Sequence, residues 1–278
     1  MTYKIVGDSC TDLPASLKGD PHFQIVPLTL QVGDVQVIDD DTFDQASFLK
    51  MVRECPQCPK TACPSPEMFK ETYECPEENV FVVTLSEHLS GSYNAAVLGK
   101  RLYEEEHGKK NIAVIGSDSA SAGQLNIALR IRDLCEAGKS FEEVVKDIEN
   151  YRREMNTYFV LESLDTLRKN GRLTGLQAFF ATALNIKPIM GAEHGSIIKL
   201  EQARGMNKAL SRMAEIAMKK AGDTSGKRLV IAHCNNPARA NFVRDEMCRR
   251  GTFKDIVITE TAGVATVYAN DGGIVMTV

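Results

Sequence analysis

No sign of charge predominates in this chain. Thirty-three Lys and Arg stand against 37 Asp and Glu, mixed along 278 residues, so no basic face awaits a phosphate backbone and nucleic acid is not an expected partner. No apolar run is long enough for a membrane helix. The longest, Leu173 to Met190, is broken by Gln177, Asn185 and Lys187, short of the roughly 20 apolar residues a span needs. The opening MTYKIVGDS has no basic region followed by an apolar stretch and a small-residue cleavage site, and the expectation is a cytoplasmic protein with at most transient membrane contact. Walker A, G-x-G-x-x-G and G-x-S-x-G sequences are all missing, which removes the usual signs of a nucleotide phosphate site and of a nucleophile elbow.

Cysteine, by contrast, is plentiful: there are eight. Cys55, Cys58, Cys63 and Cys75 cluster as C-x2-C-x4-C-x11-C, and neighbouring thiolates are what soft metals select. A second C-x2-C is lacking and Cys58, Cys63 and Cys75 each abut a proline, so reduced loop cysteines without a metal are the expectation.

The hydrophobic pattern alternates. Strands are predicted at Tyr3–Gly7, Phe23–Leu30, Val80–Leu85 and Ile112–Ile115, with helices at Asp44–Glu54, Ser90–Glu106 and Ser121–Ala137, an order typical of parallel βαβ units. CPQCPKTACPSP, with four prolines in twelve residues, predicts a loop of fixed shape. Ser140 and Glu143 form a capping box for a helix to Met155. From Thr157 the pattern changes: helices near Leu164–Lys169, Leu176–Leu184, Asn207–Lys220 and Pro237–Arg250 alternate with strands at Ile186–Met190, Ile197–Ala203, Leu229–Ala232 and Ile256–Thr261. GAEHGS joins two of these strands as a hairpin. The fold class expected is α/β and two-lobed, with a mostly parallel α/β domain over 1–156 and an α+β domain over 157–278.

Two serines follow predicted strands. GDS at Gly7–Ser9 resembles the nucleophile block of GDSL-type hydrolases, which would make Ser9 a nucleophile. The Asp-x-x-His that supplies that family's base is absent: neither His194 nor His233 has Asp three residues earlier. Turn or cap roles suit Asp8, Ser9 and Asp12 better. Ser90 stands where a strand ending at Leu85 gives way to a helix. Free N–H groups and the positive dipole end make that junction a site for an anion, and Gly91 lets the backbone approach it closely. A carboxylate suits it as well as any anion.

GDSCTDLP, KTACPSPEMF, LSGSYNAA, SDSASAGQ, LRKNGRLTG, LNIKPIM and EQARGMNKAL occur in an order that resembles the DegV family of bacterial fatty-acid-binding proteins, across nearly the whole chain. The resemblance implies two α/β lobes with a long-chain fatty acid such as palmitate, stearate or oleate buried between them, no cofactor, and a binding role without catalysis. It implies that Thr61 and Ser90 hydrogen-bond the carboxylate beside Gly91, with Ser92 and Arg172 as possible additions. Thr266, in ATVYANDGG, falls where some members carry a histidine beside the head group. Those members present the acid to a fatty-acid kinase, and Arg204 falls on an arginine linked with kinase engagement, although Gln202 and Gly205 depart from the family's usual Lys and Thr. Apolar lining is expected from residues such as Phe179, Phe180, Leu184, Ile186, Ile189 and Met190.

Overall fold

Strand β1 (Tyr3–Asp8) opens the fold and runs into a single 3-10 turn, Ser9–Thr11. The expected strand 23–30 is instead two, β2 (Phe23–Val26) and β3 (Thr29–Val32), which lie in different sheets. Pro27 separates them: it fixes φ and donates no hydrogen bond, so the chain leaves one ladder and joins another. β3 turns back as β4 (Val35–Ile38), and after helix α1 (Gln45–Glu54) comes β5 (Lys60–Ala62). The proline-rich stretch is therefore not wholly irregular, as its composition suggested. Residues 60–62 lie between Pro59 and Pro64, keep their N–H groups, and pair antiparallel with β3, placing Thr61 opposite Leu30.

Helix α2 (Pro66–Tyr73), β6 (Asn79–Thr84), α3 (Ser92–His107), β7 (Asn111–Gly116), α4 (Ala122–Glu136) and α5 (Phe141–Glu154) follow. β2, β1, β6 and β7 form a parallel sheet in that order. Every residue of β6 is buried, as expected where helices cover both faces of a parallel sheet. Phe69 and Tyr73 of α2 and Ala95 and Ala96 of α3 pack on one face; Ile127 and Ile131 of α4 and Val144 and Ile148 of α5 pack on the other. The capping box of Ser140 and Glu143 is present at the start of α5.

The structure, a computed structural model, describes residues 1–173 and 185–278; the expected helix 176–184 and the candidates Phe179, Phe180 and Leu184 lie outside them. β8 (Thr157–Val160), α6 (Asp165–Lys169), β9 (Ile186–Glu193), β10 (Ser196–Arg204), α7 (Met206–Ala221), β11 (Arg228–His233), α8 (Pro237–Cys248), β12 (Asp255–Glu260), α9 (Gly263–Ala269) and β13 (Ile274–Thr277) complete the described chain. The second sheet runs β10-β9-β8-β13-β11-β12, and its strands all lie at residue 157 or later. α4 is buried almost all round because it is the layer between the sheets: Leu125 and Leu129 meet Val230 and Ala232 of β11, while Ile127 and Ile131 face the parallel sheet. The β9–β10 hairpin turns on His194 and Gly195, both at positive φ (48° and 75°), the backbone of a two-residue primed turn. Its tip crosses to the first lobe, where the Ser86 hydroxyl donates to the Gly195 carbonyl at 2.8 Å. A Cβ on residue 195 would lie 2.6 Å from that hydroxyl oxygen, so the contact itself requires glycine.

Candidate functional site

Between the two sheets lies a cavity; together with the open solvent at its mouth its space amounts to about 840 Å³. Its described lining is mostly apolar and comes from both halves of the chain: Leu28, Leu85 and Leu89 from one side, Phe159, Ile197 and Val264 among those from the other. Ile186, Ile189 and Met190, expected to line it, do not. Ile189 is a core residue under α7 and α8, and Met190 packs among Phe159, Leu161 and Leu164. Successive strand residues face opposite ways: Ile189 turns to the helix layer, and Met190 to a cluster whose Phe159 and Leu161 themselves line the cavity.

One end of the cavity is polar. Thr61 on β5 places its hydroxyl 2.9 Å from that of Tyr268 on α9. The Arg172 guanidinium lies 5.9 Å from the centre of the Tyr268 ring, within cation–π range. Its Nε donates to the Leu89 carbonyl at 3.2 Å and one Nη to the Asn170 carbonyl at 2.6 Å. Ser90, next to Leu89, completes the group, so Thr61, Ser90, Arg172 and Tyr268 all line the cavity. The structure thus brings together Thr61, Ser90 and Arg172, residues chosen from three distant parts of the sequence.

Ser90 is not the helix cap itself. α3 begins at Ser92 with Gly91 as its N-cap, and the Ser90 hydroxyl accepts from the Ser92 N–H at 3.3 Å and lies 3.1 Å from the Ser92 hydroxyl. Ser92 is fully buried and does not line the cavity; it orients Ser90 rather than facing a ligand. Gly91 has ordinary φ, but a Cβ there would lie 3.1 Å from the Cys63 sulfur. The first N–H groups of α3 have no acceptor within the helix, and they open beside Ser90.

Thr266 lies off the cavity wall. It is buried, its hydroxyl 2.8 Å from that of Thr261 and accepting from the Gln45 amide at 3.1 Å, and it does not line the cavity. On a helix, two residues along turns the side chain through roughly 200°, so Tyr268 faces the cavity and Thr266 faces away. Sequence reasoning missed Tyr268, although it is the sole aromatic residue after Phe253, in a stretch otherwise rich in small residues. Arg204 lies at the end of β10, exposed, and is not among the residues that line the cavity.

Beneath the cavity lie three buried carboxylates. Asp8 accepts from the N–H groups of Cys10 and Leu85 at 3.1 and 2.9 Å and from the Gln124 amide at 2.8 Å. Asp12 accepts from the Ala262 N–H at 2.6 Å and bonds the Ser121 hydroxyl at 2.5 Å. Asp39 accepts from the N–H groups of Gly263 and Val264, the first residues of α9, at 2.6 and 2.8 Å. Burial pushes the Asp8 carboxyl up to about 6 and that of Asp12 up to about 8, against the opposing pull of these donors; burial raises Asp39 as well. Asp12 and Asp39 fix α9, and with it Tyr268, to the first lobe. Ser9 belongs to the same layer. Its hydroxyl accepts from the Leu28 N–H at 3.1 Å and also bonds Asp39, so its partners are structural and no histidine serves it as a base.

The clustered cysteines are spread apart by the fold. Cys58 accepts from the Asn170 amide, Cys75 from Lys110, Cys63 abuts Gly91 and Cys55 packs with the Leu30 cluster. Among the described residues no group of three or more His, Cys, Asp or Glu side chains is placed to hold a metal ion, and no helix is long and apolar enough to cross a membrane.

Such an arrangement, two α/β lobes enclosing an apolar cavity that ends in hydroxyls and a guanidinium, defines a class of small-molecule-binding protein. The model of the DegV family, described as uncharacterised proteins, matches residues 2–277, and this chain belongs to the DegV family. A DegV domain-containing protein of Streptococcus pyogenes is 37% identical over 99% of both chains. Among solved structures, a DegV family protein from Ruminococcus gnavus refined with vaccenic acid is 50% identical, covers 100% of each chain and superposes with a TM-score of 0.97. The fatty acid kinase B3 protein of Streptococcus pneumoniae, loaded with linoleic acid, is 35% identical, with TM-score 0.89 over 100% of this chain and 99% of that one. A DegV family protein from Eubacterium eligens loaded with heptadecanoic acid is 30% identical, with TM-score 0.90 over 99% and 98%.

Proposed function

We propose that this protein binds a long-chain fatty acid, such as palmitate, stearate or oleate, with the acyl chain in the cavity between the lobes and the carboxylate at Thr61, Ser90, Arg172 and Tyr268. The observation that carries the reading is a group of hydroxyls and a guanidinium, Thr61, Ser90, Tyr268 and Arg172, in the wall of a largely apolar cavity whose other polar lining residues include Ser119 and Thr157, bonded to each other. The apolar lining comes from both halves of the chain, Leu28, Leu85 and Leu89 on one side and Phe159, Leu161 and Ile197 on the other, as expected of a site that takes up an acyl chain. Burying some 14 methylenes at about 0.8 kcal/mol each supplies on the order of 11 kcal/mol before ordering costs. A charge-assisted hydrogen bond adds only about 1.5–3 kcal/mol. The tail therefore provides affinity, while the hydroxyls, Arg172 and the start of α3 decide which end enters. The fatty acids in the related structures support this assignment.

The binding role is that of a carrier, with no catalysis of its own. The kinase-system relative from Streptococcus pneumoniae supports presentation of the acid to a fatty-acid kinase, with exposed Arg204 as a contact. The two lobes are taken as 1–156 and 157–278. All eight cysteines are unpaired, in keeping with a reducing compartment such as the cytoplasm. The direct test is solvent extraction of purified, denatured protein followed by mass spectrometry. Near-stoichiometric C16–C18 acid is expected; protein that is lipid-free and takes up none on incubation would sink the reading.

A further inference from the structure

β4 is the outer strand of the sheet β4-β3-β5, and its far edge has no partner among the described residues. We propose that this edge, with Asp34 before it and Asp40 and Asp41 after it, is a docking site for an extended basic segment of another protein. Exposed edges are ordinarily protected by lysine, proline or a bulge. β4 is short, four residues, but its sequence, Val35-Gln36-Val37-Ile38, carries no charge, proline or bulge and has a composition that favours pairing. Val35 and Ile38 are 49% and 46% exposed. They point to opposite faces of the strand, Val35 with Val32 and Ile38 with Thr29, so one flat surface could not cover both, whereas an added strand would.

The charges select the occupant. Asp34, Asp40, Asp41 and Asp44 are all exposed, and the cation nearest them, Lys18, reaches Asp41 only at 4.0 Å with both ends largely in solvent. A second copy pairing antiparallel would set Asp34 of each chain against Asp40 of the other, a like-charge contact that disfavours self-association. An anionic bilayer is repelled for the same reason. A strand with Lys or Arg at each end satisfies both the ladder and the carboxylates of Asp34 and Asp41, while Asp40, held by Thr42, and Asp44, held by Ser47, add to the negative field. The surface stands apart from the lipid cavity and does not rest on the fatty-acid reading, although Thr61 lies on β5 of the same sheet.

The test uses a fluorescein-labelled peptide, Lys-Thr-Val-Thr-Val-Thr-Lys, titrated with the full chain, lipid-loaded and delipidated, by anisotropy. Saturable binding is expected, weakened about tenfold or more by 0.5 M salt, by glutamate in place of both peptide lysines, and by the double variant V35K/I38K. Asp34→Lys with Asp41→Lys should reverse the preference toward the glutamate peptide. Equal binding of both peptides, or binding indifferent to V35K/I38K, overturns the proposal. So does a dimer in sedimentation equilibrium that V35K/I38K dissolves, or uptake by phosphatidylglycerol vesicles without peptide binding.

Discussion

Thr61 and Tyr268, 207 residues apart in sequence, hold their hydroxyl oxygens 2.9 Å from each other, and that bond joins the small antiparallel sheet to α9 at the polar end of the cavity. Tyr268→Phe removes the hydroxyl and keeps the ring under Arg172. The expected result is a fatty-acid Kd raised about tenfold, from losing roughly 1–1.5 kcal/mol of hydrogen bonding, with thermal unfolding little changed. Isothermal titration with oleate measures the first and calorimetry the second.

Thr61→Val and Ser90→Ala each delete a donor without emptying space. A carboxylate deprived of one partner in a confined site costs about 1–3 kcal/mol, so each variant should bind oleate roughly 5- to 150-fold more weakly. The two together are expected to depart from additivity, since both serve one head group. Unchanged affinity in either single variant would remove that residue from the site.

Ala192 lines the cavity on β9. Ala192→Phe places a ring in space the tail is proposed to fill. Binding of C18 acids should fall more than that of C12 acids, read as a change in the ratio of their Kd values. A uniform loss for all lengths would mean that the tail runs elsewhere.

Asp12 gives a pH dependence whose sign is fixed by its surroundings. Burial lifts its carboxyl from 3.8 to about 8, so the folded protein holds a proton that the unfolded chain releases near pH 4. This stabilising contribution is complete below about pH 4 and declines as pH rises through about 8. Asp12→Asn keeps an acceptor for the Ala262 N–H and replaces the oxygen that accepts from Ser121 with an amide that cannot ionise. Its urea midpoint should therefore lose less between pH 6 and 9 than that of the parent protein.

Local rules were readable in the sequence and distant pairings were not. The capping box at Ser140 and the hairpin at His194–Gly195 need only neighbours a few residues away, and both are present. β5 was hidden because its three residues become a strand only through β3, some 30 positions earlier. The short helix α9 was hidden because its first N–H groups are capped by Asp39, 224 positions before Gly263, rather than by a residue beside them. Tyr268 went unseen with it. Ser90 was marked by its own chemistry, a helix start after a strand, whereas Thr61 entered only through the family resemblance; both line the cavity.

The order of the larger sheet has a consequence for how the protein is made. β13, latest of the described strands, lies in the middle of that sheet, bonded to β8 on one side and β11 on the other. On the ribosome, β8 and β11 must wait for residues 274–277 before they can be joined, while the parallel sheet of the first lobe already has all its strands by residue 116. Synthesis therefore passes through a stage in which one half can be finished and the other stands open along its centre, exposed to chaperones and to misassociation until the closing strand arrives.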